Sequence, residues 1–212
     1  MSHTSHTVLS YGFVGLWSTE LPEVPLLEQA DCEALFDEQM RLAVTAEGLS
    51  VTVSDGRSTP SAIVNTKRLQ VVAPTPGAVA KALSQLVDLL GFSAPGPVFS
   101  MIGWNIEHEF SGLDKSGPIW LGELLGPTFA SGDIKALFGY GIDLGFASAG
   151  DKHYFLTLQP REGVENAIFC RVNDTTRWDP KWELTTGAVL QMLRESLENT
   201  VKNVFPMLKV GP

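Results

Sequence analysis

From Gly77 to Gly91 apolar residues return every three or four positions, at Val79, Leu83, Leu86, Val87 and Leu90. That spacing predicts one helix face, with Pro76 at its start and Gly91 at its end. A longer stripe closes the chain, with Val189, Leu193, Leu197, Val201, Val204 and Leu208 at helical steps and Leu190 widening it. Arg194, Glu198 and Lys202 fall elsewhere on the wheel. The stripe keeps no strict heptad, so it predicts a helix packed on a sheet, with Leu193, Leu197 and Val201 buried. Thr185 or Thr186 is placed to cap the start, and Pro206 to cut or bend the end.

Between these helices the period changes to two. VFSMIGWNIEHEF puts Trp104, Ile106, His108 and Phe110 on one strand face and Asn105, Glu107 and Glu109 on the other. VLSYGFVGLW, LSVTVS, SAIVN, RLQVVA, DLGFASA, KHYFLTLQ and NAIFCRV are further predicted strands. Turns are expected at Asp55-Gly56, Gly150-Asp151 and Arg161-Glu162-Gly163. DCEALFDEQMRLAV predicts a helix capped by Asp31, with Leu35, Phe36, Met40 and Val44 near helical spacing. Two short helices are predicted around IWLGELL and DIKALF, and the opening MSHTSHT is expected to fray.

These elements predict an α+β fold, with antiparallel or mixed sheet covered by amphipathic helices. Two organisations fit equally. Two α+β units can succeed each other, 1–110 and 118–212, or one domain can carry a continuous sheet.

Composition narrows the function classes. The chain has 212 residues and a net charge of −9, and residues 1–50 hold eight acidic side chains against one base, Arg41. Gripping nucleic acid or an anionic membrane needs the opposite sign. The basic positions Arg57, Lys67 and Arg68, near a predicted hairpin, read more simply as a charged sheet edge. No window is apolar enough to span a membrane, and the opening residues lack the pattern of a signal peptide. With two cysteines, Cys32 and Cys170, and no CxxC pair, a reducing cytoplasm is the expected setting.

No motif names a reaction or a cofactor. The chain contains no G-x-S-x-G elbow, no phosphate-binding loop and no dinucleotide fingerprint. His3 and His6 lie in the opening tail, and two ligands are too few for a structural zinc, so no metal is expected. Cys170 shares a face with Ile168 and Val172 and reads as core, while acids beside Cys32 dull its thiol. Two constellations remain. Glu107, His108, Glu109 and His153 are the polar candidates for a small-molecule pocket between the 98–110 strand and the 112–145 region. Arg177, Trp178 and Trp182 form a loop fit either to pack over the sheet or to anchor a protein partner. With the acidic first third, they make a non-enzymatic interaction or assembly component, paired with itself or another protein, the favoured expectation. An enzyme is the alternative.

Overall fold

The computed structural model describes residues 4–21, 24, 27–36, 41–44, 50–54, 59–91, 99–124, 141–147 and 152–208. It is an α+β protein. The strands are β1 (Ser5–Trp17), β2 (Arg41–Val44), β3 (Ser50–Ser54), β4 (Ser61–Asn65), β5 (Arg68–Ala73), β6 (Phe99–Ser111), β7 (Ile142–Ala147), β8 (His153–Pro160) and β9 (Ala167–Arg177). They form one nine-stranded sheet in the order β2-β3-β4-β5-β1-β6-β9-β8-β7. The pairs β2–β3, β3–β4, β4–β5, β5–β1 and β7–β8 are antiparallel. The helices are α1 (Gln29–Phe36), α2 (Pro76–Leu89), α3 (Gly117–Leu124), α4 (Thr186–Asn203) and the single turn α5 (Phe205–Leu208).

Local chemistry explains the boundaries. Thr75 Oγ1 accepts from the Ala78 N–H at 3.2 Å, Pro76 opens α2, and Gly91 follows its end at φ 71°. The β4–β5 turn is held by Asn65, whose Oδ1 accepts from the N–H of Lys67 at 2.9 Å and of Arg68 at 2.8 Å. In the β8–β9 turn Gly163 takes φ 76°, and the Val164 N–H donates to the Arg161 carbonyl at 3.2 Å. The expected turns at Asp55-Gly56 and Gly150-Asp151, and the helix around DIKALF, lie outside the described residues.

Two compact units occur, each assembled from separate stretches. The amino-proximal unit comprises Ser10–Asn105 and Thr175–Ser196. The carboxy-proximal unit comprises Met1–Leu9, Ile106–Asp174 and Leu197–Pro212. This division differs from 1–110 and 118–212, because β1, β6, β9 and α4 each contribute residues to both units. In the amino-proximal unit, Phe13, Leu69, Val71, Leu83, Leu86, Trp104 and Leu193 lie in the core. In the carboxy-proximal unit, Phe110, Leu121, Tyr154, Leu156, Leu158, Ile168, Cys170, Val172 and Phe205 do so.

Three local expectations change. Of the predicted helix over 31–44, Asp31–Phe36 fall in α1, whereas Arg41–Val44 form β2, paired with β3. Tertiary pairing overrides the weak helical spacing there. Ser5, His6 and Thr7 of the stretch expected to fray belong to β1, and Ser5 Oγ lies 2.7 Å from Ser111 Oγ at the end of β6. On α4, Leu193 is buried as predicted, whereas Leu197 and Val201 are half-buried and the polar Ser196 and Thr200 take buried places. The inward stripe is thus rotated by about one position from the leucine stripe.

Candidate functional site

Strand alternation decides the fate of the Glu107, His108, Glu109 and His153 group. His108 faces the core with Ile106 and Phe110 and is fully buried. Glu107 and Glu109 lie on the opposite face of β6, partly exposed. There Glu107 Oε1 accepts from Arg171 Nη2 at 2.6 Å and Nε at 2.9 Å, and Glu109 Oε2 from Arg161 Nε at 2.8 Å. Both carboxylates are engaged by arginines from β9 and the turn before it. His153 opens β8 with an exposed side chain, on the other face from buried Tyr154. The four residues are therefore divided between the two faces of the sheet and do not converge on one pocket.

His108 has a partner that its neighbours in sequence did not reveal. His6, on β1, brings Nε2 to 3.0 Å from His108 Nδ1. Phe110 stacks on the His6 ring at 4.9 Å, and Phe205 meets both imidazoles edge-on, at 5.2 Å from His6 and 5.0 Å from His108. Burial pushes His108 down to about 3, with the His6 charge acting in the same direction, and burial also lowers His6. His3 lies outside the described residues. Cys170 is fully buried, which pushes its thiol up to about 12, and Cys32 is raised by burial and by Asp31 and Glu33. Both are protonated at neutral pH and inert as nucleophiles.

The Arg177, Trp178 and Trp182 loop packs onto the amino-proximal core. The Trp178 N–H donates to the Ser100 carbonyl at 3.3 Å, and its ring meets Phe99 edge-on at 5.4 Å. Trp182 meets Trp178 edge-on at 5.6 Å, in a turn where Asp179 accepts from the backbone of Lys181 at 3.0 Å and of Trp182 at 2.9 Å. Both indoles are half-buried and Arg177 is exposed. The loop serves the core, with part of its surface still facing solvent.

A concave feature of the carboxy-proximal unit lies elsewhere. A groove of about 250 Å³ is lined by Ile142, Leu144 and Phe146 of β7, Leu156 of β8 and Leu124 of α3. Val204, Met207 and Leu208 close its other side. Every described lining residue is apolar, and Leu144 and Met207 are 40% and 56% exposed. A cavity of roughly 150 Å³ with comparable lining admits benzene, so this groove holds an aromatic ring or a branched aliphatic side chain. With no ionisable group among them, the described residues of its wall offer shape and apolar surface.

Its position on the sheet adds a second property. β7 stands last in the strand order, paired on one side with β8 from Ile142↔Leu158 to Ala147↔His153. Its other side has no strand neighbour among the described residues. Neither lysine nor proline guards it, and its one charged residue, Asp143, is bound by the Thr157 hydroxyl at 2.7 Å. The strand itself was predicted, as DLGFASA from Asp143, but its role as a groove wall was not, because Val204, Met207 and Leu208 come from the far end of the chain. No protein-family model matches the chain, and no curated protein matches it in sequence.

Proposed function

We propose that this protein is a non-enzymatic interaction or assembly component, and that the β7 groove is its docking site. The observation carrying this reading is the apolar groove whose wall is also the outermost strand. The occupant that suits both is an extended peptide segment. Its backbone adds to β7 by strand addition, and alternate side chains point down into the groove. A volume of about 250 Å³ selects one large apolar side chain, Phe or Leu, as the anchor. The chain's net charge of −9 disfavours acidic segments and favours neutral or basic ones.

Selection from a random peptide display library tests this reading, with Met207→Asp as the counter-selected variant. Met207 is 56% exposed, so the substitution leaves the core intact. The expected winners have large apolar residues at alternate positions, bind the wild-type chain and lose at least tenfold in affinity for Met207→Asp. Winners lacking that pattern, or binding both forms equally, would remove the groove from the account. Pairing of two β7 edges between copies is the competing outcome, and light scattering would report it as a dimer that Met207→Asp dissociates.

A further inference from the structure

The His6–His108 pair takes no part in the groove, and its geometry has its own consequence. The two rings stand with Nε2 and Nδ1 3.0 Å apart, so one imidazole donates and the other accepts. His108 Nε2 is buried and has no hydrogen-bond partner among the described residues. Either tautomer of the neutral pair leaves that nitrogen unanswered, as a bare lone pair when His108 donates to His6 and as an unpaired N–H when His6 donates.

A first proton leaves the bridge its single hydrogen, makes the donating ring an imidazolium and fixes an N–H at the buried His108 Nε2. The charged ring then has to donate across the bridge while stacked on Phe110 and edged by Phe205. A second proton places two cations at hydrogen-bond distance in an aromatic enclosure, which the closed arrangement does not accommodate. We propose that the pair is an acid-sensitive latch: protonation of the two histidines releases the amino-terminal end of β1, Ser5–Leu9, from the carboxy-proximal unit.

The surrounding charges do not cancel the effect. Glu107 and Glu109 flank His108 in sequence but lie on the other face, bound to Arg171 and Arg161. Phe205 is the contact from α5, and the buried side of α4 in this unit presents Thr200. Among the buried residues of β9 and β8, the titratable ones are Cys170, Asp174 and Tyr154. Cys170 and Tyr154 are held neutral by burial, and Asp174 faces Lys152 at 3.8 Å. The segment to be released has β6 as its strand neighbour, whereas β5 pairs with β1 from Tyr11 to Leu16; His6 is half-buried, and Ser5 and Thr7 are exposed.

Hydrogen exchange read by mass spectrometry, at pH 7.5 and pH 5.0 and corrected for intrinsic rates, tests the latch on the full chain without any ligand. Opening exposes histidines that titrate near 6.5, so one blocked titration lowers protection of the Ser5–Leu9 amides about thirtyfold at pH 5.0. The α2 amides should keep their protection over the same range. In His6→Phe the stacking is kept and the acid response is reduced, because only His108 remains to titrate; His6→Gln serves as a second variant should His6→Phe fold poorly. Unchanged protection of Ser5–Leu9 in the wild-type chain at pH 5.0 would overturn the latch. So would an equal acid response in the His6 variants.

Discussion

Single side chains in this protein are set by how closely backbones approach. At Gly15 of β1 an added Cβ would lie 2.5 Å from the Phe99 ring, which itself stacks on Trp17 at 4.8 Å. Gly15→Ala should therefore destabilise by about 1–3 kcal/mol through overpacking, read as a lower urea midpoint at unchanged slope. Gly117 is as constrained, since a Cβ there would run into the Ala167 carbonyl oxygen, whereas Gly77 has open space around it. Thr200 makes the opposite case. Its side chain is fully buried and its hydroxyl finds no partner among the described residues. Thr200→Val keeps the shape and drops the orphaned hydroxyl, so it should be neutral or stabilise by up to about 1 kcal/mol. A loss above that size would show that the hydroxyl is bonded in solution.

At the level of the element, α4 tests how the carboxyl-terminal helix works. Leu193 is 1% exposed, and Leu193→Ala should cost roughly 2–5 kcal/mol. Arg194 is exposed, and Arg194→Ala should change stability by no more than about 0.5 kcal/mol. Leu197→Ala, at a half-buried position, should fall between the two in chemical denaturation. Periodicity located α2, α4, the face assignment on β6 and most strands, because each has a long run of one period. It failed at 41–44, a strand of four residues too short for its period to declare itself. It also placed Leu197 deeper than it lies, since a wide apolar stripe does not say which of its edges faces the sheet. The His6–His108 pair was hidden for a different reason: its members lie 102 residues apart and only strand pairing joins them. The groove was hidden likewise, its wall being split between β7 and the turn after α4.

For the whole molecule, charge state sets the window of stability. His108 is depressed to about 3 in the folded chain, against an unfolded value of 6.5. Its contribution is complete above pH 6.5 and is lost as pH falls toward 3, at up to about 1.4 kcal/mol per pH unit, with His6 acting in the same direction. Cys170 is raised from 9.0 to about 12, so its contribution is complete below pH 9 and declines above it. Urea denaturation should accordingly give a plateau between about pH 7 and 9 with a fall on each side, and His6→Phe should soften the acid limb. Among the described residues no helix is long and apolar enough to cross a membrane. The central claim remains the docking of an extended segment on β7. The most direct measurement is an amide and methyl NMR map of the labelled protein with a bound, selected peptide. The account predicts new protection at the β7 amides that point away from β8, together with methyl shifts at Leu144, Leu156 and Leu208. Shifts confined to the Trp178–Trp182 loop, or β7 amides that exchange as fast with peptide as without it, would contradict it.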